Sequence, residues 1–136
     1  MYQFRKGTEL LDLCQRNQLD IYELMLRCEM EESGQTREQI LSLMQNNLQV
    51  MQDSINRGLS PDLKSVGGLV GGNASKVQSY IQKDNLCGKT ILKAIAYALA
   101  VSECNAAMGK IVAAPTAGAS GILPGILAAL AEEKGY

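Results

Sequence analysis

Apolar residues recur at intervals of three and four along most of the chain, which is the spacing of an amphipathic helix. The longest such segment opens at Thr36 and ends at Gly58. Its apolar positions are Ile40, Leu41, Met44, Leu48, Met51 and Ile55. The opposite face carries Gln, Asn, Asp and Arg, so we expect this helix to cover a core or a partner. We prefer a core position for Met44 and Met51 over an adaptable peptide groove.

Two shorter helices are predicted before this one. Thr8 is suited to cap a helix that ends near Asn17. Asp20 and Glu23 have the spacing of a capping box for the second helix, and Gly34 is suited to end it.

A glycine-rich loop, GLSPDLKSVGGLVGGN at 58–73, is followed by a short helix at about 74–82. Thr90 then starts the most apolar helix. Its segment ILKAIAYALAV is interrupted only by Lys93, so we expect burial on several sides. The chemically distinctive stretch is Asn105–Gly125, NAAMGKIVAAPTAGASGILPG, which carries one charge and is predicted as a second loop before a last helix at about Ile122. The chain is therefore predicted to be all-α, with about six helices and two glycine-rich loops.

Composition narrows the function classes. A chain of 136 residues is one domain's worth, and its net charge of −1 shows no basic excess, so we expect no nucleic-acid partner. The stretch Ile111–Ala131 is uncharged and long enough to span a bilayer. Its prolines, glycines and hydroxyl residues would leave backbone groups unsatisfied in lipid, so we expect no membrane span. The pair Gly121 and Gly125 is better explained by close helix packing or a loop.

The chain contains no histidine, which excludes Ser-His-Asp and Cys-His sites within it. Its four cysteines, Cys14, Cys28, Cys87 and Cys104, form no short metal-ligand spacing. Cys14 and Cys28 lie in helical apolar patterns, as buried cysteines of a reducing cytosol do, and the N-terminus lacks a secretory apolar region. We therefore expect a cytoplasmic protein without disulfides.

Nucleotide-binding motifs fail on spacing. Gly88-Lys89-Thr90 resembles the end of a P-loop, but Lys83 stands where the pattern needs glycine. No strand pattern precedes it.

Both glycine-rich loops lead into a helix, where free backbone N–H groups and the helix dipole suit a small anion such as a carboxylate. The loops can alternatively be turns and close-packing points, and the residues alone do not decide between the two. The hydroxyls of Ser65, Thr116 and Ser120 add donors, and Asn105 offers an amide that we expect in a low-dielectric place. The candidate substrate-binding residues are Ser65, Gly68, Gly71, Gly72, Asn105, Thr116, Ala117, Gly118, Ser120 and Gly121.

The segment NAAMGKIVAAPTAGASGILPG, together with GLVGG at 68–72, resembles the alpha (catalytic) chain of iron–sulfur-dependent L-serine dehydratase, also called L-serine ammonia-lyase. The helical segments EMEESGQTREQI and NLQVMQDSINRG also look like the opening of that chain. The resemblance implies conversion of L-serine to pyruvate and ammonia by a 4Fe-4S cluster, one iron of which acts as a Lewis acid on the substrate hydroxyl. It also implies amino-acid degradation that feeds gluconeogenesis.

The family's chain is about twice as long as this one, and the resemblance places its cluster-ligating cysteines in the C-terminal half. We therefore assign no cysteine of this chain as a ligand and leave the catalytic residue open. We expect residues 1–136 to be the N-terminal part of a larger helical catalytic domain, inactive alone. Its expected partners are L-serine, the remaining half of the alpha chain and the beta chain, with a homo-oligomer possible in principle. The alternatives are a non-catalytic helical interaction module and a small-anion binder.

Overall fold

The computed structural model of the protein describes residues 2–135. Its six helices are α1 (Gly7–Asn17), α2 (Ile21–Ser33), α3 (Arg37–Gly58), α4 (Asn73–Tyr80), α5 (Lys89–Ala106) and α6 (Ala117–Lys134). The described residues contain no β-strand, and the all-α prediction is confirmed.

The chain divides between Asn46 and Asn47 into two compact units. In the first unit, α1 packs against α2, and the buried side chains are Cys14, Leu24 and Leu26. Glu23 does not close a capping box. It instead accepts hydrogen bonds from Arg27 and Arg37, with the Arg37 pair at 2.8 Å.

The predicted helix ends are partly correct. Gly34 ends α2 with a left-handed φ of 70°, as expected. Thr36 opens α3, because its hydroxyl accepts from the Gln39 N–H at 3.3 Å and the Gln39 side chain accepts from the Thr36 N–H at 2.9 Å. Thr8 is not the cap of α1, which begins after Lys6.

In the second unit, α5 packs against both α4 and α6. The core of this unit consists of Ile55, Ala96, Tyr97, Val101 and Ala129. Burial of such apolar side chains is the main contribution to the stability of a unit of this size. The C-terminal end of α5 is thereby held in a fixed position relative to the start of α6.

α6 begins at Ala117, earlier than the expected start at about Ile122. The reason is the close packing of α6 on α5. A Cβ added at Gly125 would lie 2.7 Å from the Ala98 nitrogen and 2.8 Å from the Ala94 carbonyl oxygen, and one at Gly121 would lie 2.9 Å from the Ala98 oxygen. These glycines are close-packing points inside a helix, which corrects the expectation that the helix starts at about Ile122.

The expectation that α5 is buried on several sides is wrong for the side of the helix that carries Ile91 and Ile95. Ile91 and Ile95 are 57% and 41% exposed. The prediction that Met44 is a core residue is also wrong, since its side chain is 54% exposed. Within residues 2–135, no helix has the length and apolar character needed to cross a membrane.

Candidate functional site

The two glycine-rich segments meet at the C-terminal end of α5. The Val66 N–H, in the first segment, donates to the Ala106 carbonyl at 3.1 Å. The second segment leads into α6, where a Cβ added at Gly121 would lie 3.0 Å from the Ser102 hydroxyl. The two segments, for which the sequence predicts only a shared character, therefore contact each other within this unit.

The first segment is a compact turn closed by Ser65. The Ser65 N–H donates to the Val70 carbonyl at 2.7 Å, and the Val70 N–H donates to the Ser65 hydroxyl at 3.1 Å. Gly68, with a φ of +70°, donates its N–H to the Ser65 carbonyl at 2.8 Å. The Ser65 hydroxyl thus already accepts one hydrogen bond within the chain.

Gly71 and Gly72 are required by the backbone. Both have positive φ values, +154° and +74°, which side chains rarely adopt. A Cβ at Gly71 would in addition collide with the Leu63 carbonyl. This geometry supports the alternative in which these glycines form a turn; their role in substrate binding stays a prediction.

Glu103 is a site residue that the sequence reasoning missed. Its side chain is 3% exposed, and its Oε1 accepts from the Asn73 N–H at 2.8 Å. Its Oε2 is buried and has no hydrogen-bond partner within the described part of the chain. Because a carboxylate already occupies this N–H, the start of α4 is less suited to an anionic ligand than the sequence predicted.

A sequence signal for Glu103 did exist. It is the only charged residue between Lys93 and Lys110, in an otherwise apolar helix. A lone charge of this kind is rarely buried without a specific partner. The partner, a backbone N–H thirty residues away, could not be read from the sequence.

The start of α6 presents exposed backbone donors. Thr116 caps the helix, and its hydroxyl accepts from the Ala119 N–H at 3.1 Å. Thr116, Ala117 and Gly118 are exposed, and the N–H groups of Ala117 and Gly118 have no partner among residues 2–135. The first turn carries no acidic residue, so the positive end of the helix dipole is not neutralised locally.

The remaining predicted residues have structural contacts. Ser120 is buried, and its hydroxyl accepts from the Ala114 N–H at 2.9 Å and donates to the Thr116 carbonyl at 3.2 Å. It therefore fastens the segment before α6 to the first turn. The expected low-dielectric surroundings of Asn105 are wrong, because this residue is exposed at the end of α5.

These features can be set beside known proteins. The sequence matches the family model described as serine dehydratase alpha chain over residues 16–136. The chain belongs to the serine dehydratase alpha chain family. The resemblance drawn from PTAGASG and its flanking residues is thereby confirmed.

Individual relatives agree with this assignment. The chain is 42% identical over 131 residues to a probable L-serine dehydratase, alpha chain, of Bacillus subtilis (strain 168), covering 96% of this chain and 43% of the relative. It is 36% identical to the L-serine dehydratase, alpha chain, of Peptoniphilus asaccharolyticus, covering 96% of this chain and 45% of that one. It is 37% identical to L-serine dehydratase TdcG of Escherichia coli (strain K12), covering 93% and 29%. The chain thus spans less than half the length of these relatives.

The four cysteines, Cys14, Cys28, Cys87 and Cys104, are free thiols. Within residues 2–135, no group of three or more Cys, Asp and Glu side chains is arranged to hold a metal ion. Cys104 is 1% exposed, and burial raises the pKa of its thiol although Arg57 opposes this shift. Cys87, by contrast, is exposed. The residues of this chain therefore do not fit a 4Fe-4S cluster by themselves, and the location of cluster ligands outside it stays a prediction.

Proposed function

We propose that this chain is part of an L-serine ammonia-lyase and that the start of α6 receives the carboxylate of L-serine. One observation supports this most directly. Ala117 and Gly118 present two exposed N–H groups without partners among the described residues, at the positive end of an 18-residue helix. A carboxylate has the charge and the two acceptor oxygens that such a helix end binds.

The choice of α6 over α4 follows from charge. Glu103 accepts the Asn73 N–H at the start of α4 and brings a carboxylate there, whereas the first turn of α6 has no acidic residue. A second anion would be repelled at α4 and attracted at α6. The first glycine-rich turn then lies beside the substrate site and shapes it, rather than supplying the main anion contact.

The reaction we propose is the dehydration of L-serine, followed by release of pyruvate and ammonia, in the cytoplasm. Dependence on a 4Fe-4S cluster belongs to this proposal, with the ligands supplied from outside this chain. Because residues 2–135 offer no ligand set, we derive no step through the cluster. The partners are the remaining part of the alpha chain and a beta chain. The relatives' names, which specify an alpha chain, and their greater length support this.

The experiment combines this chain, under anaerobic conditions, with the unmatched part of the Bacillus subtilis relative and with a beta chain. After reconstitution with iron and sulfide, pyruvate formation from L-serine is measured. We expect activity only in the complete mixture. The Thr116→Val variant should raise KM for L-serine about tenfold, whereas Thr116→Ser, which keeps the hydroxyl, should change KM little.

Thr8→Val is the matched control, because Thr8 lies in α1 and away from the start of α6 in sequence. Absence of pyruvate from the complete reconstituted mixture would overturn the proposal. So would an equal effect of the Thr8 and Thr116 variants on KM.

The second candidate is a non-catalytic helical interaction module. It is favoured by the exposed apolar residues of α3, since Leu41, Met44 and Leu48 are 48%, 54% and 50% exposed. Complexes that form with the beta chain but yield no pyruvate would favour this function. A small-anion binder would instead give heat with L-serine in calorimetry on the chain alone.

A further inference from the structure

An apolar groove runs between α5 and α6 in the second unit. It has a volume of about 370 Å³ and is lined by Thr90, Ile91, Ala94, Ile95, Ala98, Ile122, Ile126, Ala129 and Leu130. Five of these residues have large apolar side chains that are 41–57% exposed: Ile91, Ile95, Ile122, Ile126 and Leu130. No charged side chain lines it, although the flanking ion pair of Lys93 and Glu132, 2.8 Å apart, belongs to the same two helices.

The apolar side chains that border the groove are spaced so that another helix could pack against them. Ile122, Ile126 and Leu130 are spaced by four residues along α6, so they form one continuous apolar ridge of about 12 Å. Ile91 and Ile95 form the facing ridge on α5. Ridges of this spacing accept the side chains of another helix. The lining offers no charged partner to a zwitterion, so L-serine is not a suitable occupant.

The groove borders the candidate substrate site. A second hollow, on the neighbouring side of α6, is lined by Thr116, Gly118, Ala119, Ile122, Leu123, Ile126 and Leu127. Ile122 and Ile126 belong to both. Anything seated in the groove therefore lies next to the start of α6 as well.

We propose that this groove seats an amphipathic helix from the part of the alpha chain that the relatives carry and this chain does not match. The relatives' length is the argument for this occupant. The chain covers 43% and 45% of two alpha-chain relatives, so each carries more unmatched than matched residues. In these relatives, a helix on this face would remove five half-exposed apolar side chains from water and would border the substrate site. The inference rests on the proposed function for its choice of occupant.

The test compares the isolated chain with a single polypeptide that joins it to the unmatched part of the Bacillus subtilis relative. Ile126→Cys is alkylated in both forms, and the modified peptide is followed by mass spectrometry. We expect alkylation at position 126 to be at least tenfold slower in the joined polypeptide. Leu86→Cys is the matched control, since Leu86 is fully exposed outside the groove and should react equally fast in both forms.

Equal alkylation rates at position 126 in the two forms would overturn the proposal. Protection already present in the isolated chain, and rising with its concentration, would identify a second copy as the occupant and overturn it too. The readout needs neither cluster nor catalysis. Protection of position 126 without pyruvate formation would support the groove assignment and contradict the proposed function. Pyruvate formation without protection of position 126 would support the proposed function and contradict the groove assignment.

Discussion

The Glu103 carboxylate accepts a hydrogen bond of 2.8 Å from the backbone N–H of Asn73, the first residue of α4. Gly72, which precedes α4, has no side chain with which to cap it. Glu103 therefore performs the capping from a different helix. This contact joins the first glycine-rich segment to α5 next to the candidate substrate site.

Replacing Glu103 by Ala should lower the free energy of unfolding by about 2 kcal/mol, because the Asn73 N–H loses its side-chain acceptor. Glu103→Gln keeps an acceptor oxygen and should lose less than half as much. Urea denaturation measures both values. Amide hydrogen exchange at Asn73 should accelerate in the Ala variant and much less in the Gln variant. Unchanged exchange in both variants would show that the contact does not fix the start of α4.

The contact between α5 and α6 leaves no room for a side chain at Gly125. A Cβ there would lie 2.7 Å from the Ala98 nitrogen, so Gly125→Ala should destabilise the protein by about 1–3 kcal/mol. Gly118→Ala is the matched control in the same helix. A Cβ at Gly118 meets nothing within 4 Å, and its φ is not positive. It should be neutral or stabilising by up to about 1 kcal/mol. Similar melting temperatures for both variants would contradict this account of the helix contact.

Tyr97 should make stability depend on pH in the alkaline range. Burial raises the pKa of Tyr97 to about 12, and the hydrogen bond of 2.8 Å that it donates to Glu132 adds to the shift. Since the folded pKa lies above the unfolded value of about 10, the contribution is complete below pH 10. It is lost as the pH rises through 12, by roughly 2 kcal/mol.

Tyr97→Phe isolates this effect. The difference in unfolding free energy between wild type and the variant should be constant up to about pH 10 and shrink towards pH 12. Tyr22→Phe controls for general alkaline effects, because Tyr22 is 67% exposed. A difference that stays constant across the range would mean that the Tyr97 hydroxyl does not titrate with folding.

The cysteines should differ in reactivity. Cys87 is exposed, whereas Cys104 is buried and burial raises the pKa of its thiol. A thiol reacts as its thiolate, so Cys87 should be alkylated within minutes at pH 8 while Cys104 stays protected until the second unit unfolds. Pulsed alkylation with mass spectrometry measures both. Equally fast reaction of Cys104 in native buffer would show that the end of α5 opens readily.

The sequence predicts the helices better than it predicts the site. The spacing of residues such as Ile40, Met44 and Leu48 is enough to identify α3, since periodicity is a local property. Gly34 and Thr36 also reveal helix ends because capping depends on neighbours in sequence. The start of α6 was missed since Gly118, Gly121 and Gly125 have low helix propensity, and the contact with α5 that favours the helix is not local.

In the candidate site as well, features that depend on neighbouring residues could be predicted, whereas contacts between distant segments could not. The sequence predicts Thr116 only as a hydroxyl donor for a ligand, and the structure shows that its hydroxyl caps α6. The surroundings of Asn105 and the partners of Glu103 depend on which distant segments arrive at the end of α5. Ser120 looked like a ligand donor, yet its hydroxyl is engaged by Ala114 and Thr116. The residue type indicates that a side chain can form hydrogen bonds, but only the fold shows which partners it has.

Under the proposed function, Gly121 and Gly125 have a consequence for the range of substrates. They carry no side chain and bring the backbone of α6 close to the Ala98 backbone of α5. A side chain at either position would push α6 away from α5, so the spacing of the two helices depends on both glycines. Under the proposed function, a larger hydroxy amino acid such as threonine would gain its room on the side of α6 that does not contact α5. Variants selected for a broader range of substrates are expected to change what covers that side and to keep both glycines.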